Sequence, residues 1–386
     1  MDTLGKLQLL GEGAKYDICS ASAAPGGPGV CHSFTPDGRC ISLLRVLMSN
    51  QCVHNCSYCP NRSGNDCLRA DFEPEELAGL FMQFYRRNYV SGLFLSSGVS
   101  GCADNAMGKM LDTAQLLRQR YSFNGYIHLK LIPGCSAGHI DQAVKLAQRV
   151  SVNCETPDGT SLGRVAPGKD YQGDIIGTME RVRKLTDAAQ GRQSTQFLVG
   201  AAGEADRDIL ARSLEFYDRY NMLRVYFSAY VPQQGREQPG VPLVREQRLY
   251  QCDFLLRQYG FSLDELVFSD GNLPLDQDPK QAWARANPQH FPLEINRASR
   301  EQLLRVPGIG PRSASRIIAL RRQHRITQLG ELKNMGAVVK RAAPYLLAAG
   351  RRLATPETPF KQLDWLDSGG MQAVRGEDKN ADTLSG

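Results

Sequence analysis

Six short apolar runs separated by helical patterns constrain this chain more than any other feature. They are "LLRVLMS", "GLFLSSG", "YIHLKLIP", "RVSVNCET", "TQFLVGA" and "RVYFSAYVP", spread between Ile41 and Pro232. Between the first two, "FEPEELAGLFMQFYRRNY" places Leu77, Leu80, Phe81, Phe84 and Tyr85 at helical spacing, with Pro74 and two glutamates in its first turn. Strand then helix, repeated, with runs too uniformly apolar to face water, predicts a parallel sheet covered by helices. Six units fit a partial (βα)6 barrel of the TIM type better than a closed eight-stranded one. A further helix, "VREQRLYQCDFLLRQYG", carries Leu249, Cys252, Leu256 and Tyr259 on one stripe and is expected to close the domain at Gly260.

In such barrels reactive groups gather on the loops that follow the strands. The first run is followed by "CVHNCSYCPNR", whose Cys52, Cys56 and Cys59 have C-x3-C-x2-C spacing. At 386 residues and 42% hydrophobic content the chain can bury a sizeable core. No apolar run approaches the roughly 18 residues of a membrane helix, and "MDTLGKLQLLGEGAK" lacks a signal peptide's apolar region. The expectation is therefore a cytoplasmic protein without membrane partners. In a reducing compartment eleven cysteines, an odd number, argue for buried thiols plus a metal or catalytic set rather than disulfides. Structural zinc takes four ligands, whereas a 4Fe-4S cluster can be held by three cysteines with one iron left open. A zinc site completed by His54 or Cys67, or three unrelated thiols, are the alternatives.

The C-x3-C-x2-C spacing after a first strand, with an aromatic residue, Tyr58, just before the last cysteine, resembles the radical S-adenosylmethionine superfamily. The resemblance implies that Cys52, Cys56 and Cys59 bind a 4Fe-4S cluster, that S-adenosyl-L-methionine chelates the open iron, and that one electron splits it to a 5′-deoxyadenosyl radical. It also implies an electron donor such as flavodoxin or ferredoxin. The family's Gly-Gly-Glu after the second strand, which holds the methionine amino group, is replaced here by Ser96, Ser97 and Gly98. Hydroxyls and backbone remain for that contact; the carboxylate does not. After the fourth strand Asn153 and Glu155 are candidates for ribose, and after the fifth the backbone from Val199 and Gly200 onward is a candidate for adenine; ordinary strand-end polar residues and a turn are the alternative. His128, Lys130 and Arg224 are charged groups on strands that contact either a ligand anion or an internal partner. "GEGAK" lacks phosphate-loop spacing. The other eight cysteines, Cys19, Cys31, Cys40, Cys67, Cys102, Cys135, Cys154 and Cys252, show no compact spacing and are expected to be buried structural thiols.

Charge is segregated. Between Pro288 and Leu353 thirteen Lys and Arg face three Asp and Glu, a net of +10 in a chain of +6, so the remainder is acidic. Within this basic stretch "INRASREQLLRVPGIGPRSASRIIALRR" pairs two helical patterns across a "PGIG" turn, with Asn296 as a candidate cap, Leu303, Leu304 and Val306 packing, and Ile317, Ile318 and Leu320 on the second helix. It resembles a helix-hairpin-helix motif. That resemblance implies that Pro307, Gly308, Ile309, Gly310, Arg312 and Ser313 form a DNA-binding hairpin whose glycines let backbone N–H groups at the start of the second helix meet a phosphate, without reading bases. A degraded second copy, "ITQLGELKNMGAVVKRAAPYL", follows and is expected to be mainly structural. A protein-docking hairpin is the alternative, which the charge disfavours.

Taken together, "GRCISLLRVLMSN", "FYRRNYVSGLFLSSG", "GYIHLKLIPG", "REQRLYQCDFLLRQYGF" and "DPKQAWA" resemble, over about residues 3–350, a radical S-adenosylmethionine family with a C-terminal helix-hairpin-helix, associated with DNA modification or repair and commonly encoded beside a uracil-DNA-glycosylase-like protein. The expected organisation is an N-terminal extension (1–40), the partial barrel (41–265), a linker (266–290), a small all-α helix-hairpin-helix domain (291–353) and a disordered tail (354–386). The expected function is a radical enzyme acting on a flipped or single-stranded DNA target. An RNA substrate and a non-enzymatic iron-sulfur redox sensor that binds DNA are the competing readings.

Overall fold

The computed structural model describes residues 1–14, 29–34, 40–186, 191–233 and 239–352. They form two compact units, one ending at Gln289 and one beginning at His290. Cys19 and the expected tail, 354–386, lie outside the described residues.

The first unit is built on one sheet in the order β1 (Val30–Phe34), β2 (Cys40–Leu47), β3 (Gly92–Ser96), β4 (Tyr126–Lys130), β5 (Arg149–Ser151), β6 (Gln193–Val199) and β7 (Met222–Ala229). Strands β2 to β7 are parallel and lie in sequence order. They are the six expected strands, and β1 and β7 remain as edges among the described residues, so the barrel is partial. The connections carry α2 (Pro74–Arg86), α3 (Ala103–Gln115), α4 (Ala137–Leu146), α5 (Gly159–Val165), α6 (Gly177–Leu185), and α7 (Asp206–Tyr220), with α8 (Leu243–Gln258) after the last strand. In α2, Pro74 opens the first turn beside Glu75 and Glu76, and Leu77, Leu80 and Phe81 are buried. Alternation sorts the two faces of the sheet. Phe197 and Phe227 stack with each other, and Phe197 stacks on Phe216 of α7, whereas Gln196, Leu198 and Ser228 face the barrel interior. All seven residues of β6 are buried because helices cover one face and the barrel the other.

Within the expected N-terminal extension, α1 (Thr3–Gly13), capped by Asp2, buries Leu7 and Leu10 and ties Lys6 to Glu76 at 2.7 Å, and β1 pairs antiparallel with β2. The supposed linker also folds into the first unit. Asn272 reaches Asp206 and Arg245, and α9 (Pro279–Ala286), capped by Asp278, sets Trp283 edge-on against Phe261 at 5.6 Å. Its Pro, Asp and Asn residues are caps and turn formers rather than signs of an open chain.

The second unit contains α10 (Arg300–Arg305), α11 (Pro311–Leu320), α12 (Leu329–Asn334) and α13 (Val339–Ala342). It is not purely helical. Short strands β8 (Leu293–Glu294), β9 (Leu346–Ala348) and β10 (Arg351–Arg352) join its ends.

Candidate active site and hairpin unit

The loop between β2 and α2 is held by its own polar side chains. The Arg69 guanidinium donates to four backbone carbonyls, those of Asn50 (2.6 Å), Asn61 (2.8 Å), Arg62 (2.8 Å) and Asn65 (3.0 Å). The Asn50 side chain bridges Leu68 and Ala70, both at 2.8 Å, so the start and end of the loop are stapled together. From outside, Val53 N–H donates to Val99 and Ser57 N–H to Val165. Gly98 closes the other side: a Cβ there would lie 2.4 Å from the Gln51 carbonyl oxygen. The second-strand serine-glycine segment therefore packs backbone to backbone on the residue that precedes Cys52.

Cys52, Cys56 and Cys59 all line one cavity of about 190 Å3 at the C-terminal ends of the strands. Ser96, Ser97, Gly98, Tyr58, Asn153 and Glu155 line it too, so the structure brings these nine residues, all singled out from sequence, around one cavity. Burial pushes the Cys56 thiol up, with Lys169 pulling the other way, and burial pushes Cys59 up to about 12. A metal that binds there must displace those protons. Among the described residues no three His, Cys, Asp or Glu side chains converge on a point where a single ion would sit. His54 lines the cavity, packed on Gly168, and burial followed by Lys169 depresses its pKa.

Lys169, which no local pattern singles out, is the cation that pairs with Glu155 in this site. Its Nζ lies 3.0 Å from Glu155 Oε1 and donates to the Tyr58 hydroxyl at 3.1 Å. The two charged side chains are 12% and 5% exposed. Burial opposes the charge on Lys169, yet the Glu155 carboxylate and then the Cys56 thiol hold its pKa above the ordinary lysine value. Glu155 itself sits at φ 62°, bridged to Phe197 on β6, which turns its side chain into the cavity. Its carboxylate is thus committed to Lys169, a partner that a ribose hydroxyl would have to share.

Other candidates lie elsewhere. Val199 is fully buried, and Gly200 is covered: a Cβ on it would meet Val241 at 2.4 Å and the Arg245 guanidinium at 2.9 Å. Neither is among the residues that line the cavity, whereas their neighbour Leu198 is. The turn they begin is instead closed by Glu204, which accepts from the N–H groups of Gly200 and Ala202. His128 is buried with its ring edge-on to Phe94 and its Nε2 2.9 Å from Ser151 Oγ; burial, then Arg149 and Lys130, keeps its pKa well below the usual range. Arg224 pairs with Asp253 at 3.5 Å and lies over Phe254. Lys130 does line the cavity. Of the remaining cysteines, Cys31, Cys135, Cys154 and Cys252 are buried as expected, but Cys40 and Cys102 are exposed and Cys67 is half-buried.

In the second unit α10 and α11 flank the Pro307–Gly310 turn. Gly308 has φ +84°, and a Cβ on it would stand 2.5 Å from the Val338 carbonyl oxygen, whose own N–H donates to Gly308 at 2.8 Å. Gly310 has an ordinary extended φ of −101° and precedes Pro311 at the start of α11. The second copy repeats the bend with Gly336 at φ +83°. The cap of α10 is Ser299, in a reciprocal arrangement with Gln302, and not Asn296. Asn296 instead exchanges hydrogen bonds with Ile326, both at 2.9 Å, fastening the second copy to the first. Among the described residues of this unit, two of the three carboxylates are consumed internally. Glu294 accepts from Asn296, Ala349 and Gly350, and Glu331 from Thr327, Gln328 and His324. Arg312, Lys333, Lys340 and Arg341 are exposed, whereas Ser313 is buried.

Comparison with known proteins places a helix-hairpin-helix motif at residues 291–346, which spans both copies. No curated protein matches the chain in sequence. Among solved structures it is similar to the FeFe-hydrogenase maturase HydG (TM-score 0.45, 15% identity, 54% of this chain and 48% of that one). It is also similar to methylornithine synthase PylB (0.44, 14%, 54% and 60%) and to a radical SAM methyltransferase from Sphaerobacter thermophilus (0.44, 13%, 59% and 71%). The match spans about half the length of HydG and three fifths of PylB. No helix among the described residues is long and apolar enough to cross a membrane.

Proposed function

We propose that the chain is a radical S-adenosylmethionine enzyme that holds a 4Fe-4S cluster on Cys52, Cys56 and Cys59 and acts on DNA gripped by its hairpin unit. The observation that carries this reading is the placement of three thiols with C-x3-C-x2-C spacing on one stapled loop, directly after the first parallel strand, facing a cavity walled by the strand ends. The donor set fits the group in its chemistry: three soft sulfur ligands line one pocket. When bound, cluster and cofactor supply a carbon-centred radical that removes a hydrogen atom from a substrate.

The chain's own residues bind, orient and shield. Gly98 and the serines before it form a wall whose backbone and hydroxyls accept the cofactor's amino group in place of a carboxylate. Lys169 offers its remaining donor capacity to the cofactor's carboxylate and offsets the negative charge of three thiolates. Asn153 stands beside it for a ribose hydroxyl. In the other unit the bend at Pro307, Gly308, Ile309 and Gly310 leads into the first turn of α11, whose free N–H groups and the Arg312 charge meet a backbone phosphate. Flavodoxin or ferredoxin is the proposed electron donor.

Anaerobic reconstitution followed by measurement of 5′-deoxyadenosine tests the reading. Wild-type protein should form the cluster and cleave the cofactor. Cys56→Ala should lose both the cluster absorbance and cleavage while DNA affinity stays within about twofold. Cleavage by Cys56→Ala would remove the ligand assignment, and tight binding to RNA but not to matched DNA would move the substrate.

A further inference from the structure

The stretch from Val165, the last residue of α5, to Lys169 grips the cysteine loop at three points. The Ser57 N–H donates to the Val165 carbonyl at 2.8 Å. His54 packs on Gly168, where a Cβ would lie 2.7 Å from its Nδ1. Lys169 donates to the Tyr58 hydroxyl at 3.1 Å, with its Nζ 5.8 Å from the centre of that ring. His54, Ser57 and Tyr58 are interleaved with Cys52, Cys56 and Cys59, so every contact falls between the first and the last thiol. From the other side Glu155, just beyond β5, holds the same lysine at 3.0 Å.

Lysine is rarely buried unless it is paired, and enclosing one beside three sulfur atoms has an electrostatic consequence. Lys169 lines the same cavity as Cys52, Cys56 and Cys59. Burial opposes its charge, but Glu155 and then Cys56 outweigh burial, so the ammonium stays protonated across the neutral range. Its charge is therefore fixed, not switched. An electron that arrives at a metal group held by those sulfurs, with no proton beside it, makes the site more negative by one unit. A fixed cation in the same enclosed cavity stabilises that product over its precursor, and a carboxylate there does the opposite.

We propose that Lys169 is a positioning residue that eases electron entry: it holds Tyr58 between Cys56 and Cys59, and its charge raises the reduction potential of a 4Fe-4S cluster on the three cysteines, with Glu155 tempering the effect. It rests on the reading that Cys52, Cys56 and Cys59 hold such a cluster. The electron comes from flavodoxin or ferredoxin; one electron enters, no proton moves, and no bond of the chain forms or breaks. Lys169 acts through charge and hydrogen bonding around the ligands rather than as a ligand itself.

In the test, the full-length chain, reconstituted without oxygen, is titrated with dithionite in the presence of redox mediators, and the reduced fraction is read by electron paramagnetic resonance. At the wild-type midpoint Lys169→Met should lower the ratio of reduced to oxidised cluster about tenfold, a shift of about 59 mV for one electron. Lys169→Arg, which keeps the charge, should stay within about threefold, and Glu155→Gln should raise the ratio. A lysine that only braced the loop would move Lys169→Met and Glu155→Gln the same way or not at all; opposite signs are the signature of charge. Iron content and circular dichroism melting establish that each variant is loaded and folded, and if Lys169→Met is not, Lys169→Arg and Glu155→Gln still carry the comparison. An unchanged midpoint in Lys169→Met, a Lys169→Arg shift as large as a neutral residue is expected to give, or a Glu155→Gln midpoint that does not rise would overturn the proposal. Wild-type protein that takes up no iron and sulfide sinks the cluster reading and this inference with it, while a loaded wild type whose midpoint ignores both charges sinks this inference alone.

Discussion

Removing Lys169 should damage the first unit more than any surface lysine could. Two opposite charges 3.0 Å apart interact by about 5 kcal/mol at an effective dielectric of 20, and both side chains are nearly enclosed. Replacing Lys169 with Met leaves the Glu155 carboxylate buried without its cation, and breaking such a pair from one side costs about 3–5 kcal/mol. Lys169→Met combined with Glu155→Gln removes both charges and should cost under about 1.5 kcal/mol, at least about 1.5 kcal/mol less than Lys169→Met alone. The chain has two tryptophans, and Trp283, buried in the first unit, reports its unfolding once Trp365, outside the described residues, is changed to Phe. Urea denaturation followed by Trp283 fluorescence therefore isolates the unit that matters. A Lys169→Met cost below about 1 kcal/mol, or a double variant as unstable as the single one, would show that the pair is not the buried ion pair described above. The stabilisation also has a defined pH course. Lys169 is held above its unfolded value, so its contribution is complete below about pH 10 and fades only as pH rises through the still higher folded value. Between pH 6 and 9 this contribution should be flat.

Arg69→Ala should leave the melting temperature of the second unit untouched but reduce cluster loading, because four loop carbonyls lose their donor; iron content per chain and loop proteolysis measure it. Gly98→Ala should be worse for loading than for overall stability, since its Cβ must displace the Gln51 carbonyl next to Cys52. In the hairpin unit, Gly308→Ala should cost at least about 2 kcal/mol through its left-handed backbone and the 2.5 Å contact, whereas Gly336→Ala, with its nearest atoms at 3.6 Å, should cost only about 1 kcal/mol of backbone strain. Arg312→Ala should weaken DNA binding uniformly across sequences and lower the salt slope by about one, as fluorescence anisotropy at several salt concentrations would record.

The architecture was largely legible because period-2 and period-3.6 patterns are properties of local sequence. The six runs became β2 to β7, and the cysteines fell where a strand-loop-helix unit must expose them. What local pattern could not show was which charges meet. Lys169 lies 14 residues from Glu155 and 111 from Tyr58, in a "PGKD" turn like any surface loop, and the fold brings them together. Arg69 was similarly hidden, since a guanidinium that binds carbonyls leaves no compositional trace. The covering of Gly200 was hidden for a related reason: Val241 and Arg245, which lie over it, come from beyond β7 in the chain. The hairpin glycines, read as equivalent, divide into one required by a left-handed bend and a close backbone contact, Gly308, and one in ordinary extended conformation, Gly310.

The four-carbonyl clamp of Arg69 changes what an arriving metal has to do. Where ligands dangle from an unordered chain, as in zinc fingers, much of the binding free energy is diverted into folding the peptide around the ion. Here the conformational entropy of the cysteine segment is already lost when the barrel forms, so iron and sulfide would meet a rigid socket. Oxidative loss of the inorganic core should then strip colour and chemistry while leaving a folded receptacle that can be refilled.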